Sequence, residues 1–410
     1  MSGRSTRREF GKGLGLASLV GFGSGKRTRA AVCRSSVGGE SHKLEVDADL
    51  PGGNIVVEEI EGDRITVHQD LRDTAGWWFY WYFRVRNAAG RKLYVTFTKG
   101  DVFSSRGPAC SLDGGRTWRW LGRGCVRGTT FTHAVPDGAV EVRYCFAIPY
   151  VPADLERFLR RHGEHPSLQV LTHCRTRKGR RCVRLHLGNM RAPKHRVLLT
   201  CRHHACEMMA SYVLEGIMET VLDGRDDSRW FCENVELAVV PMMDRDGVED
   251  GDQGKNRRPH DHNRDYLGES IYPEVRALKE FAPRWSEEKL RVFLDLHCPY
   301  IRDRHIYLVG SPNESVWGEI QRFSVILEGV QSGPLRFDRR HNLPFGRGWN
   351  TLREPRMAAR WAESLPGVRL ASTLEFPYAS VGSKEVNRQT ARLFGRDVAR
   401  AIRHYLEQQG

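Results

Sequence analysis

Apolar segments of strand length alternate with longer helical segments from about residue 151 to the end of the chain. This alternation is typical of a sheet whose strands are joined by helices. It predicts one α/β domain over residues 151–410, with a mixed, mostly parallel central sheet flanked by helices. The predicted strands are Val197–Thr200, Leu237–Pro241 and Val292–Leu296, and the predicted helices are Met208–Leu222, Pro273–Phe281 and Lys384–Glu407.

Residues 45–150 show a different pattern, with short aromatic and β-branched segments separated by Gly, Asn and Asp turns. Several short strands at this spacing predict a small all-β sandwich domain ahead of the α/β domain. The clearest of these segments are Ile55–Val57, Trp77–Val85 and Lys92–Thr98. Residues 111–118 match the S-x-D-x-G-x-T-W hairpin motif known as the Asp box. This motif predicts that Asp113 accepts hydrogen bonds from turn amides while Trp118 packs beneath them.

The first residues of the chain resemble a targeting segment. Arg7-Arg8 is followed by a short, weakly apolar stretch and then by Ala30-Ala31. This layout predicts a twin-arginine-type signal over residues 1–31 and a Ser/Gly-rich linker over residues 32–44. The protein would then be exported to the periplasm or the extracellular space. If the segment is only a disordered basic tail, the protein is cytoplasmic.

Composition narrows the remaining possibilities. Apolar residues make up 40% of the chain and charged residues 28%, which is typical of a globular protein. No run of 18 apolar residues occurs, so no membrane span is expected. The net charge of +14 either suits a partner with a carboxylate or another anionic group, or reflects a genome-wide preference for Arg. Arg is scattered without a basic and aromatic stripe, so no nucleic-acid partner is expected. Oligomeric state is left open.

Two predicted strands are followed or ended by residues that bind metals. His204 and Glu207 come directly after the strand ending at Thr200, and their spacing would place both side chains on one face of a first helical turn. His297 comes directly after the predicted strand Val292–Leu296. Two His and one Glu are a typical catalytic zinc set, which leaves a position open for water. His203 is the alternative to His204 as a ligand.

Glu375 comes near the end of a further apolar strand, and the long polar segment 242–266 follows another. A carboxylate in such a place is either a salt-bridged structural residue or a general base beside an activated water. The polar segment is rich in Gly and Arg and predicts a loop. Such a loop is either a solvated charged surface or a clamp for a carboxylate, which Arg binds in a bidentate manner.

In their order along the chain, these motifs resemble those of the zinc metallocarboxypeptidases, especially the branch of the cytosolic carboxypeptidases. The matching motifs are His204-x-x-Glu207, Asp244-Arg245-Asp246-Gly247, Asn263-Arg264, His297 and Glu375. The branch also carries a β-sandwich before its catalytic domain. The resemblance implies a zinc-dependent enzyme that hydrolyses the C-terminal residue of peptides or proteins.

The resemblance also implies a role for each matching position. One zinc ion per chain would be bound by His204, Glu207 and His297. Glu375 would be the general base, and Asn263 and Arg264 would bind the terminal carboxylate of the substrate. Arg257 would polarise the scissile carbonyl, with Arg258 and Lys255 as competing choices.

The sequence departs from the family pattern in places that affect the site. Cys206 and Cys298 place two thiols next to the predicted ligands. The tyrosine that caps substrate in pancreatic-type enzymes has no counterpart at the usual distance before Glu375. That role is therefore either empty or filled elsewhere, with Tyr378 as a candidate. Two other functions are considered. One is zinc-dependent deacylation of small N-acyl amino acids on the same fold, and the other is non-catalytic binding of peptides or glycans.

Overall fold

The structure is a computed structural model and describes residues 43–409. Its first part, here called the β region (residues 43–150), contains two five-stranded sheets. The strands are β1 (Glu45–Asp47), β2 (Val56–Glu61), β3 (Arg64–His68), β4 (Tyr82–Arg86), β5 (Lys92–Phe97), β6 (Ala109–Ser111), β7 (Arg119–Trp120), β8 (Val126–Arg127), β9 (Thr130–Ala134) and β10 (Glu141–Cys145). One sheet has the order β1-β4-β10-β6-β7, and the other has the order β2-β3-β5-β9-β8.

The two sheets pack against each other across an aromatic core. Tyr144 of β10 lies in the first sheet and Phe131 of β9 in the second, with their ring centroids 5.1 Å apart. Trp81, just before β4, stacks on Phe131 and also contacts Phe97 of β5. Buried residues alternate with more exposed ones along β5, as expected for a strand with one face in the core. The predicted all-β sandwich is therefore confirmed.

The Asp-box segment forms the hairpin between β6 and β7, as predicted. Both carboxylate oxygens of Asp113 accept a hydrogen bond from the Thr117 amide, at 2.9 and 3.1 Å. Trp118 packs against Tyr82, with ring centroids 5.7 Å apart. These contacts indicate that the residues of the Asp box serve to stabilise this turn.

The second part, here called the α/β region (residues 151–409), is built around a seven-stranded sheet with the order β11-β12-β14-β13-β15-β17-β16. Its elements are α1 (Pro152–His162), β11 (Leu168–Arg175), β12 (Arg181–Gly188), β13 (His195–Cys201), α2 (Met209–Leu222), α3 (Asp226–Asn234), β14 (Val235–Val240), α4 (Arg245–Asp250), α5 (Pro273–Ser286), β15 (Leu290–His297), β16 (Tyr307–Leu308), α6 (Glu314–Val330), α7 (Ala358–Ala362), β17 (Leu370–Glu375), β18 (Ser380–Val381), β19 (Lys384–Glu385) and α8 (Arg388–Glu407). Short 3-10 helices occur at Arg123–Cys125, His262–Arg264 and Arg339–His341.

The four central strands of this sheet, β14, β13, β15 and β17, run parallel to one another. The pairings at the two sides of the sheet, β11 with β12, β12 with β14 and β16 with β17, are antiparallel. Successive residues of β13 belong to two different apolar clusters. Val197 packs in the cluster that contains α2, α6 and α8, whereas Leu198 packs in the cluster that contains α5 and α7. Helices therefore cover both faces, and the predicted mixed α/β fold is confirmed.

Two predicted element boundaries are wrong for identifiable reasons. The strand predicted from Trp77 begins only at Tyr82, because the backbone N–H and C=O of Tyr80 bond to the side chain of Gln253 instead of to a neighbouring strand. The helix predicted from Lys384 begins at Arg388. The Asn387 side chain accepts hydrogen bonds from the first-turn amides of that helix and so sets its start.

The predicted signal over residues 1–31 and most of the predicted linker over residues 32–44 lie outside the described residues, so export stays a prediction. Among the described helices, none has the length and apolar character needed to cross a membrane. The nine cysteines within residues 43–409 are all free thiols. The boundary predicted between two domains at residue 150 stays a prediction, since one compact unit extends from Lys43 onward.

Helices α2 and α8 approach each other closely at two glycines. A methyl group added at Gly395 would lie 2.1 Å from the carbonyl oxygen of Val213, and one added at Gly216 would lie 2.1 Å from that of Arg392. Helix α2 begins at Met209, shortly after the turn that carries His204 and Glu207.

We expect Gly395→Ala to lower the free energy of unfolding by about 1–3 kcal/mol, because the new methyl group has no room between the two helices. Gly318→Ala is the matched control, since Gly318 is an exposed residue inside α6 with open space around it. That control should gain about 0.5–1 kcal/mol from better helix propensity. Urea denaturation of both variants measures the difference, and equal stabilities would contradict the close packing.

Candidate functional site

Three parallel strands end together at one edge of the sheet. Thr200 of β13 is paired with Asp295 of β15, and His297 of β15 is paired with Glu375 of β17. The carboxyl ends of parallel strands are where ligands bind in such sheets. Backbone pairing therefore brings His297 and Glu375 together, at the edge of the sheet where β13 ends just before His204.

The predicted metal ligands lie in contact with one another. His204 Nδ1 is 2.9 Å from Glu207 Oε1, and His297 Nδ1 is 2.6 Å from Glu207 Oε2. All three side chains are buried. Helix α2 begins only at Met209, so the expectation that His204 and Glu207 lie on a first helical turn is wrong. They lie in a tight turn before the helix, in which the Glu207 amide donates to the His204 carbonyl.

A second group of donors, His203, Asp295 and His297, also lies close enough to hold a metal ion. Both ring nitrogens of His203 are already engaged, with Asp295 Oδ1 at 2.8 Å and the Tyr266 hydroxyl at 2.7 Å. A cavity, described below, opens at this edge of the sheet; neither His203 nor Asp295 borders it, whereas His204 and His297 do. Because a catalytic metal must be reachable from the cavity, the group of His204, Glu207 and His297 is the better candidate for a metal site.

Asp295 is a functional candidate that the sequence reasoning missed. Its Oδ2 is 2.6 Å from His297 Nε2, so it holds the ring nitrogen that faces away from Glu207. Burial alone would raise the pKa of Asp295, but the imidazoles of His203 and His297 hold that pKa below its usual range. Carboxylates in this position orient metal-binding histidines. The available signal was the Asp-x-His spacing, which places both side chains on one face of a strand.

A cavity of about 570 Å³ opens above this edge of the sheet. Glu375 borders it and has a buried Oε2 without a hydrogen-bond partner. Burial raises the pKa of Glu375 to about 7, against the opposing influence of His297. A carboxylate with a free oxygen and a raised pKa can both accept and return a proton near neutral pH. The cavity walls include Trp78, Tyr300, Tyr307 and Trp349.

Asn263 and Arg264 both border the cavity, within the 3-10 helix of the polar segment. The Asn263 side chain accepts from the Ala358 amide at 2.9 Å, and its Nδ2 lies 3.4 Å from His297 Nε2. Arg264 donates from Nη1 to the Asn263 carbonyl at 3.0 Å. The predicted loop thus also contains short helical elements, α4 among them.

Arg257, predicted to polarise the scissile carbonyl, is not brought to this cavity. Its guanidinium lies among the carboxylates of Asp73, Asp244 and Asp252, at 3.0, 2.8 and 2.8 Å, and borders a separate cavity. The competing residue Lys255 faces the candidate site instead. Burial alone would lower the pKa of Lys255, but nearby carboxylates, Glu207 foremost, raise it, so the side chain is a cation.

The additional residues singled out in the sequence have different positions. Tyr378 is buried between Phe79 and Phe146, so the suggestion that it caps substrate is wrong. Burial raises the pKa of the Cys206 thiol to about 12 and that of Cys298 well above its usual value. Both therefore stay protonated near neutral pH, and neither belongs to a group of potential metal ligands among the described residues.

Comparison with known proteins gives consistent findings. Residues 155–287 match the family model described as zinc carboxypeptidase. The chain is 25% identical over 226 residues to cytosolic carboxypeptidase 2 of Mus musculus, which covers 51% of this chain and 26% of that protein. It is 24% identical over 197 residues to cytosolic carboxypeptidase 3 of Mus musculus, covering 45% and 20%. The chain thus spans about a fifth to a quarter of the length of these relatives.

Two solved structures share the fold over most of the chain. A metallo-carboxypeptidase from Burkholderia cenocepacia aligns with a TM-score of 0.77 and 21% identity, over 90% of this chain and 100% of that one. A metallo-carboxypeptidase from Pseudomonas aeruginosa, in complex with (2-guanidinoethylmercapto)succinic acid, aligns with a TM-score of 0.76 and 20% identity, over 89% and 100%. The similarity extends over both the β region and the α/β region.

We expect Glu207→Gln to lose stoichiometric zinc, because it removes the carboxylate of the donor group. Asp295→Asn should keep zinc but bind it about 10–100-fold more weakly, since it removes the carboxylate that holds His297. Equilibrium dialysis against a zinc buffer, with metal analysis of the protein, measures both. Glu215→Gln, which alters a buried carboxylate paired with Arg392, should keep full affinity. Retention by Glu207→Gln with loss by Asp295→Asn would identify the His203 group as the site.

Proposed function

We propose that this chain hydrolyses the C-terminal residue of peptides or proteins, on the premise that residues 155–287 match the zinc carboxypeptidase family model. The observation that carries the proposal is the cavity itself. It brings together two imidazoles of a metal-binding group, a carboxylate with a free oxygen, and the side chains of Lys255, Asn263 and Arg264. These are the groups that cleavage next to a free carboxylate requires.

One zinc ion per chain fits the group of His204, Glu207 and His297, because two imidazole nitrogens and one carboxylate oxygen are the ligands of many catalytic zinc sites. Bound there, zinc supplies Lewis acidity that lowers the pKa of water and polarises a carbonyl. Asp295 orients the imidazole of His297 through the contact between its Oδ2 and His297 Nε2.

Glu375 is the proposed general base. Its unpartnered Oε2 accepts a proton from the attacking water and later returns that proton to the nitrogen of the leaving amino acid. The pKa of about 7 that burial gives this carboxyl group suits both steps, since neither the gain nor the loss of the proton is then strongly unfavourable.

Lys255 takes the place that the sequence analysis assigned to Arg257. Its ammonium group lies in the cavity, where it can donate to the scissile carbonyl oxygen as negative charge develops there. Asn263 and Arg264 are proposed to bind the terminal carboxylate of the substrate. Most of the Arg264 donors make no hydrogen bond within the described residues, so the guanidinium is available for a bidentate contact. This clamp would restrict cleavage to the last residue.

We expect zinc-loaded Glu375→Gln to release C-terminal residues about 10²–10⁴-fold more slowly than the wild type while keeping its zinc, because an amide cannot take the proton. The substrates are a peptide panel with acidic, basic and apolar C-terminal residues, and free amino acids are quantified over time. If the wild type binds zinc stoichiometrically but shortens no peptide, the carboxypeptidase proposal fails, and N-acyl amino acids become the next substrates to test.

The clamp makes a separate prediction. Arg264→Ala should raise KM for peptides with a free carboxylate by about 10–100-fold, because a hydrogen bond to a charged group contributes about 1.5–3 kcal/mol. The same peptides with amidated C-termini should be poor substrates for both proteins. Arg258→Ala is the control, since Arg258 is exposed on the same segment outside this cavity. Unchanged KM in Arg264→Ala would show that another residue binds the carboxylate.

A further inference from the structure

We propose that the β region contributes to the candidate site by positioning Lys255 through its segment 70–80. Asp73 and Trp78 are the positioning residues, and they act through the loop 251–257. The inference rests on the proposed function, in which Lys255 contacts the scissile carbonyl.

Asp73 holds the backbone next to Lys255. Its Oδ1 accepts from the Gln253 amide at 2.9 Å, and its Oδ2 accepts from the Gly254 amide at 2.8 Å. The same Oδ2 is 3.0 Å from Arg257 Nε. One carboxylate therefore fixes the two residues before Lys255 and the second residue after it. Arg257, in turn, is placed by this carboxylate and by Asp244 and Asp252, which explains why it faces away from the substrate cavity.

Gln253 joins the same loop to both regions of the protein. It is completely buried, and its side chain exchanges two hydrogen bonds with the backbone of Tyr80, at 2.8 and 2.9 Å. The side-chain nitrogen Nε2 of Gln253 also donates to the backbone carbonyl of Asp70 at 3.0 Å. Its own backbone carbonyl accepts from the Cys206 amide, in the turn between His204 and Glu207. A displacement of segment 70–80 would therefore be transmitted to the loop beside the proposed ligands.

The loop lies tightly against that turn. Gly254 has a positive φ of +71°, and a methyl group added there would lie 2.1 Å from the Ala205 amide nitrogen. Only glycine allows this approach. On the other side, the Lys255 ammonium lies 5.3 Å from the ring centroid of Trp78, at a distance typical of a cation–π contact. The loop thus places Lys255 between the indole of the β region and the Glu207 carboxylate, 3.2 Å from Nζ.

A misplaced cation loses much of its effect on a reacting carbonyl, since displacements of about 1 Å can cost about 100-fold in rate. We therefore expect zinc-loaded Asp73→Asn to lose about 10–100-fold in kcat/KM, mainly through kcat. An asparagine keeps the shape of the side chain but cannot accept from both loop amides and Arg257. The zinc content should stay at that of the wild type.

A double-mutant cycle with Lys255→Met separates positioning from a general structural effect. If Asp73 acts through Lys255, Asp73→Asn should cause no further loss in the Lys255→Met background. Trp78→Leu, which leaves Asp73 in place, should behave in the same way and carries the test if Asp73→Asn does not fold. Asp63→Asn is the control, because it breaks an Asp–Arg pair with Arg91 within the β region, and its activity should equal that of the wild type.

Hydrogen exchange provides a readout that does not depend on activity. The amides of Gln253 and Gly254 should exchange at least about tenfold faster in Asp73→Asn, because they lose their acceptor. The inference is overturned if Asp73→Asn keeps wild-type kcat/KM, if its loss is as large in the Lys255→Met background, or if exchange at the two amides is unchanged. A wild type that shortens no peptide would instead defeat the proposed function, while the exchange experiment would still test the positioning.

Discussion

The parallel pairing of β13, β15 and β17 is the constraint on which the candidate site depends. Backbone hydrogen bonds set the register, and the register places His297 beside Glu375 and Asp295 beside Thr200. These side chains lie close together because the strands that carry them are neighbours and end at the same edge of the sheet. The turn with His204 and Glu207 lies in the segment between the end of β13 and the start of α2.

Concentrating ionisable groups at that edge has an electrostatic cost, since buried charges are unfavourable unless they are paired. Asp295 meets this requirement by contacting the imidazoles of both His203 and His297. Glu207 meets it through His204, His297 and Lys255. Glu375 alone among these three carboxylates keeps a buried oxygen without a hydrogen-bond partner, and burial raises the pKa of Glu375 to about 7. The one unsatisfied carboxylate of this group is thus the one proposed to exchange a proton with substrate.

The β region is joined to this site by hydrogen bonds and does not merely precede it in the chain. The backbone of Tyr80 bonds to the side chain of Gln253 and not to a neighbouring strand. The backbone carbonyl of Gln253 in turn accepts from the Cys206 amide, in the turn that carries the proposed ligands. Trp78 forms part of the cavity wall. Residues of both regions therefore form the walls of the cavity at the candidate site.

The sequence by itself determined the fold class and the positions of the main chemical groups. Periodicity of apolar residues reports strands and helices locally, and motif spacing indicated His204, Glu207, His297 and Glu375 because each lies at the end of a strand or shortly after one. Only the tertiary structure decided which cation of the polar segment enters the cavity. Lys255 and Arg257 are two residues apart in a loop without periodicity. Asp73, distant in the chain, accepts hydrogen bonds from Arg257 and from the Gly254 amide next to Lys255. Contacts of that kind leave no local pattern in a sequence, whereas strand ends do.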